Sequence, residues 1–422
     1  MKKYVIIGNS AAGISAVEAI RKRDKESKIT VISDEEYPVY CRCLISYFIA
    51  GETDKAKIFY RAKDFYQKNN IELLLNKKVI KVDPKKQVLV FEDKTQVGYD
   101  SLLIATGSRA KLPETKGIKK KEVFALRTLK DALQINGLLN LSRSVCVLGG
   151  GLVGLKAATA LRKRNVEVKV VIKSKQILSQ MLDVQAAEIV QERLLANGIE
   201  LLLGQDVVEI IGDPEVRAVK LDNGKAFAAS FVVVGKGVEP NKEIIAHTDM
   251  KVANGILVDN HMQSSFPNIY AAGDVAEAYD ITLGKPAINA IWPVAVEEGR
   301  IAGANMTGDP LSYEGSLGMN SLDFFGLPLV SLGVYNAKDI EGQNVEEIYL
   351  SKRKDNIYKK LIFKDEFLVG AVLVGDIRES GVFSRIIRER LPCRVMEERM
   401  LEDNFGYPDI IEFVQEKERF YV

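Results

Sequence analysis

The chain has 422 residues, 47% hydrophobic and 27% charged, with a formal net charge of +2. That length exceeds one ordinary core and implies about three domains of a globular, not disordered, protein. The near-balanced charge predicts no overall attraction to nucleic acid or to an acidic membrane, and no stretch reaches the ~18 apolar residues that cross a bilayer.

The N-terminal MKKYVIIG is basic and then apolar, but the run stops at Gly8-Asn9-Ser10. It is too short for a secretory signal core and reads as a first strand. KYVIIGNSAAGISAVEAIRKR then gives strand, small-residue turn and helix, followed by a second strand, KITVIS. A strand entering a helix through a tight glycine turn aims free N–H groups and the positive helix end at a diphosphate. Gly8, Ser10, Ala12 and Gly13 form this first turn, with Ser10 where a middle glycine is usual. Asp34 and Glu35 follow the second strand, placed to bind a ribose diol, which suits the adenosine half of FAD.

YDSLLIATGSRAKLP is a buried strand ending in Ala105, Thr106 and Gly107, a crossing between domains. SVCVLGGGLVGLKAATALRKR repeats the first unit, with Gly149, Gly151 and Gly154 completing GxGxxG and Leu152 and Val153 opening a helix. Its second strand, VEVKVVI, ends at Ile172 without a carboxylate. Lys173 and Lys175 follow, either as solvated turn residues or as partners for the 2′-phosphate of NADP. FVVVGKGVEPN, containing Gly237, is a second crossing, and NIYAAGDVAE is a strand delivering Gly273 and Asp274. Asp274 is expected to accept from a ribityl hydroxyl, with the next turn opening a helix. Near the end, LIFKDEFLVGAVLVGDIRES reads as a β-hairpin and SGVFSRIIRERL as a helix. The charged run Arg385, Arg388, Arg390 and Arg394 is either a docking patch for an acidic redox protein or a solvated face balanced by glutamates.

The order GNSAAG, ATG, GGGLVG, GKGVEPN, AAGD resembles that of the pyridine nucleotide–disulfide oxidoreductase superfamily over about residues 1 to 335. Within it the chain is similar to NAD(P)H:rubredoxin reductases, the flavoprotein part of nitrite reductases, and coenzyme A-disulfide reductases. The resemblance implies an α/β fold with two Rossmann-like dinucleotide-binding domains and a C-terminal α+β interface domain. FAD would be held by residues 1–111 and 242–315, and NAD(P)H by 112–241. Residues 316–422 would dimerise or cover the flavin. Ile291, Trp292 and Pro293 would line the flavin ring; for Trp292, an ordinary core aromatic is compatible with that placement. The implied function is an FAD-dependent NAD(P)H oxidoreductase. Hydride would pass between nicotinamide and flavin, and single electrons between flavin and a rubredoxin- or ferredoxin-like iron–sulfur carrier. Two alternatives stand beside it: a coenzyme A-disulfide, persulfide or polysulfide reductase using Cys43, and a non-catalytic flavin-binding sensor or assembly subunit.

YCRCLISYF (residues 40–48) holds two of the four cysteines; the others are Cys146 and Cys393. Four cysteines so spaced form no secreted framework, so a reducing cytoplasm is expected. Against the ferredoxin- and nitrite-reductase pattern, Tyr40, Arg42, Ile45 and Ser46 fall in register, with Tyr47 where a lysine is common. Against the coenzyme A-disulfide reductase pattern, Cys43 takes the redox position, while Leu44 and Ser46 replace a glycine and a proline. A thiolate there would gain from a helix N-terminus and from Arg42. No Cys-x4-Cys pair exists, and a Cys41–Cys43 disulfide would close a small, strained ring. With only His247 and His261 in the chain, a metal centre is not expected. The thiols are therefore either redox-active or small apolar packing beside the flavin.

Overall fold

The structure, a computed structural model, describes residues 1–340 and 344–420. The expected C-terminal domain thus contains a few positions (341–343, 421 and 422) outside the described residues. The chain forms two units: Met1–Phe48, Glu52–Arg109 and Val238–Ser316 make one, and Ile49–Gly51, Ala110–Gly237 and Leu317–Val422 the other.

The first unit is built on a five-stranded parallel sheet. Its order is Ile269–Ala271, Ser101–Ile104, Lys3–Ile7, Lys28–Ile32 and Ile71–Leu74. Ile6 sits centrally, in register with Val31 on one side and Leu103 on the other. Both sheet faces are covered, so the strands read as unbroken apolar runs and not as alternating ones. The helix Ala11–Arg23 packs on the helix Trp292–Thr307 at backbone distance. A Cβ on Gly299 would lie 2.1 Å from the Ala12 carbonyl oxygen, and one on Gly303 2.5 Å from that of Ala16. The second helix has proline in its first turn and stops at Gly308, whose φ of 93° supplies the left-handed cap.

In the second unit a matching parallel sheet runs Ile199–Leu203, Glu167–Ile172, Ser144–Leu148, Phe231–Val234, Val123–Phe124. A separate antiparallel sheet follows, in the order Met319–Phe324, Leu327–Gly333, Phe367–Val374, Ile357–Lys364, Val345–Lys352. The expected hairpin is its Ile357–Lys364 and Phe367–Val374 pair, and the expected helix is Ser380–Glu389, which buries Phe383, Ile386 and Ile387. This sheet docks on the helix Val184–Ala196. The helix's capping Asp183 accepts from the Tyr358 hydroxyl at 2.6 Å and pairs with Lys360 at 3.3 Å.

One expected element differs. After Asp274 the chain forms not a helix but the strand Ala276–Asp280, paired with Ile256–Leu257. Gly273, at φ 77°, turns the backbone, and buried Glu277 accepts the Gly255 N–H at 2.8 Å, fixing the strand edge.

Candidate cofactor and thiol site

The two glycine corners repeat bond for bond. The Gly8 N–H donates to Ile32 at 2.8 Å and the Ala105 N–H to Ile7 at 2.8 Å; in the second copy Gly149 donates to Val171 at 2.8 Å and Gly235 to Leu148 at 2.7 Å. Steric demand repeats as well. A Cβ on Gly8 would lie 2.0 Å from the Ala105 oxygen, and one on Gly149 2.4 Å from the Gly235 oxygen. On Gly13 and Gly154 it would lie 1.9 and 2.1 Å from the oxygens of Gly8 and Gly149. The middle position is different: from Gly151 the nearest atom is 3.9 Å away, so the constraint there comes from outside the protein chain. That opening also explains how Ser10 fits the first copy. Both Ser10 and Gly151 are extended N-caps with no side-chain capping bond, whereas Thr128 and Asp183 cap their helices with side-chain oxygens. Two helix ends are thus left with N–H groups for a phosphate oxygen.

The crossing segment is tied to its return. Thr106 Oγ1 donates to the Asn241 carbonyl at 2.7 Å, and Asn241 answers through its side chain to Thr106 at 3.0 Å and its N–H to Gly107 at 2.9 Å. Asp274 accepts from the Ser108 hydroxyl at 2.6 Å. Behind it the Gly273 N–H donates to Glu298 at 2.7 Å. Glu298 is 3% exposed. Burial pushes its carboxyl up to about 8; the Gly273 N–H opposes this and Asp274 adds to it. Ile291 is the N-cap of the helix that begins Trp292-Pro293, and Trp292 meets Tyr60 edge to face, with centroids 5.2 Å apart.

Arg42 pairs with Glu35, which also accepts from the Tyr40 hydroxyl at 2.6 Å, while Asp34 is exposed and Ser46 half-buried. Arg42 is therefore engaged by a carboxylate. Cys43 is exposed and Cys41 partly buried. The donors of this loop converge on Cys41: the Cys43 thiol, above all, holds the Cys41 thiol down to about 6, helped by the Cys43 and Leu44 N–H groups and opposed by burial. Cys146 and Cys393 are buried, and burial pushes both thiols up.

Residues 2–299 match the model of the pyridine nucleotide-disulphide oxidoreductases, and residues 319–391 that of the rubredoxin NAD+ reductase C-terminal domain. The chain belongs to the pyridine nucleotide-disulphide oxidoreductase family. It is 34% identical over 391 residues to the nitrite reductase [NAD(P)H] of Bacillus subtilis, covering 92% of this chain but 47% of that protein. To the NADH-dependent phenylglyoxylate dehydrogenase subunit epsilon of Aromatoleum evansii it is 32% identical, over 94% of each. The solved structure of a NAD-dependent persulfide reductase from A. fulgidus superposes with a TM-score of 0.88 at 27% identity, covering 96% of this chain and 80% of that one. Against the nitrite reductase, then, the chain spans about half of its relative's length.

The cofactors of this oxidoreductase family are FAD and NAD(P)H, and the open middle position and uncapped helix end of each corner fit a diphosphate in both. At the second corner Lys173 and Lys175 are exposed, but Lys173 lies 3.8 Å from Asp206, which also holds Lys236 at 2.5 Å. Gly237 has φ 88° with open space about its Cα. The arginine run is balanced at two positions, Arg385 with Glu389 at 2.6 Å and Arg394 with Glu346. Sequence reasoning missed Ser108, Asn241, Glu298 and Gly235; only Gly235 left a signal, the paired glycines of VVVGKG. Among the described residues no group of three or more potential ligands could hold a metal, and no helix is long and apolar enough to cross a membrane.

Proposed function

We propose that this chain is an electron-transfer flavoprotein that exchanges reducing equivalents between NAD(P)H and a small iron–sulfur carrier protein in the cytoplasm. Bound FAD supplies the chemistry that converts a two-electron hydride into single electrons. In this reading Gly8, Ser10, Ala12 and Gly13 take the FAD diphosphate, and Glu35 or Asp34 the adenosine ribose. Thr106 and Asp274 border the ribityl chain, and the Ile291–Pro293 corner carries the ring. Gly149, Gly151 and the first turn at Leu152 and Val153 take the nicotinamide dinucleotide. The FAD region comprises 1–111 and 242–315, the NAD(P) region 112–241, and residues 316–422 form an interface for a partner or a second copy.

The observation that carries the reading is the pair of open, uncapped glycine corners on one chain. The carrier is supported by the rubredoxin reductase C-terminal match. An anaerobic stopped-flow titration tests it. NADH or NADPH should bleach the flavin, and oxidised rubredoxin or ferredoxin should restore it over many turnovers. Restoration by coenzyme A disulfide alone would overturn the carrier and leave the thiol reading, reduction of a disulfide, persulfide or polysulfide at the loop of Cys43. That second reading has one observation in its favour, the exposed Cys43 beside a stabilised sulfur.

A further inference from the structure

The second glycine corner lacks the carboxylate that dinucleotide folds carry at the end of the second strand to hold the adenosine ribose. Ile172, which ends that strand, is 1% exposed and its side chain has no polar atom. A carboxylate reaches the same place from the adjoining strand, Ile199–Leu203. The turn leaving that strand is stitched to the end of Glu167–Ile172: the Gln205 N–H donates to the Ile172 carbonyl at 3.2 Å, and the Gly204 N–H to that of Ser174 at 3.1 Å. Asp206 comes next. On the other side of the corner Gly235 lies so close to Gly154 that a Cβ on it would be 2.6 Å from the Gly154 backbone, and Lys236 follows. All four strands are parallel, so both turns leave from one carboxyl edge, where open α/β sheets bind their ligands. The two oxygens of Asp206 are used differently. Oδ1 accepts from the Val207 N–H at 3.0 Å and from Lys236 at 2.5 Å. Oδ2 has Lys173 at 3.8 Å, beyond hydrogen-bond reach. One oxygen anchors the carboxylate, and the other stays open to a ligand hydroxyl.

We propose that Asp206 reads the adenosine ribose of the coenzyme, its Oδ2 accepting from the 2′-hydroxyl, and thereby selects NAD(H) over NADP(H). The inference rests on the proposed NAD(P) assignment of this corner and goes beyond it in naming the group that chooses between the two coenzymes. Lys236 fixes the carboxylate from one side; its side chain and that of Asp206 are only 20% and 25% exposed, so the pair is held in place. Lys173, 82% exposed, stands on the solvent side. A 2′-phosphate would put acceptor oxygens of like charge where Oδ2 needs a donor, so the same carboxylate that welcomes one coenzyme repels the other. The charge of Lys173 already faces an anion and offers the phosphate little. With Asp206 neutral, two lysines would remain at the site and the preference would turn over.

The test is calorimetric titration of the oxidised, flavin-bound protein with NAD⁺ and with NADP⁺, neither of which can reduce the flavin. Wild type should bind NAD⁺ the more tightly. Asp206→Asn, which keeps the shape and removes the charge, should weaken NAD⁺ roughly tenfold, the scale of a hydrogen bond to a charged group, and should tighten NADP⁺. Flavin absorbance and Tm report that the variant is folded, and Asp206→Ser replaces it in the titration if it is not. Wild type that binds NADP⁺ as tightly as NAD⁺, or a variant in which the two affinities move in parallel or not at all, overturns the inference and spares the assignment of the corner. Failure of wild type to bind either dinucleotide overturns both.

Discussion

The two glycine corners share one backbone and differ in their surroundings. In both, the first and third glycines are required because a Cβ would run into a carbonyl oxygen at 1.9–2.4 Å, whatever ligand is bound. The helix of the first corner is further clamped by Trp292–Thr307 through Gly299 and Gly303, and the Ser15 hydroxyl donates to Val296 at 2.6 Å. Its acidic partner, Glu35, is already oriented by Tyr40 and Arg42. Gly151 in the second corner is exposed, and the loop beyond Ile172 carries exposed lysines. A clamped corner suits a cofactor that stays, and an open one suits a cofactor that comes and goes. On the proposed assignment, one motif serves a prosthetic group or an exchangeable coenzyme according to what is packed behind it.

Substitutions can break this comparison. The largest effect is expected from Gly13→Val, whose side chain would meet the Gly8 backbone. Its cost belongs at or above the ~3 kcal/mol end of overpacking, seen as loss of flavin and a lowered Tm. Gly151→Trp, entering open space, should abolish NAD(P)H binding while the flavin spectrum and Tm hold; loss of both would show that the corners are not independent. Asp274→Ala removes a charged acceptor and should weaken flavin retention by roughly 10- to 100-fold, measured by dialysis; full retention would remove Asp274 from the FAD assignment.

Glu298 sharpens the contrast through pH. Its carboxyl is raised from 4.5 to about 8, so between those values the folded chain keeps a proton that the unfolded chain gives up. Stability therefore falls as pH climbs through this window. Glu298→Gln, which mimics the protonated form, should match wild type in thermal melts at the acid end and exceed it at the alkaline end. The smallest effect is expected at the second corner. Alanine at Lys173 and Lys175 should reduce NADPH affinity a few-fold, the scale of exposed charge pairs. An equal loss for NADH would mean that these lysines do not read the 2′-phosphate.

Both nucleotide units were legible in the sequence because the first and third glycines of each corner are fixed by a local collision with a carbonyl oxygen. The C-terminal hairpin was legible because two largely apolar runs flank a short polar break, although both strands prove almost wholly buried and do not alternate. The strand after Asp274 was not, since Ala276, Glu277 and Ala278 are helix formers and pairing with Ile256–Leu257 and Lys285–Ala287 overrides that preference. Glu298 was equally hidden: VEEGR reads as a surface face until packing buries one of its two carboxylates. Of the thiols, the sequence favoured Cys43 by register, whereas the convergence of donors on Cys41 depends on a turn that spacing does not specify.

The clamp on the first corner also bears on how the chain is made. Ser15 waits for Val296, and Ala12 and Ala16 wait for Gly299 and Gly303. During synthesis the strands at Lys3–Ile7 and Lys28–Ile32 emerge long before the helix that completes their layer. The sheet centred on Ser144–Leu148 draws all its strands from one uninterrupted stretch, residues 123–234. Assembly on the ribosome is therefore expected to run out of numerical order, with the sheet of residues 123–234 closing while the amino-terminal strands remain exposed and in need of protection from aggregation.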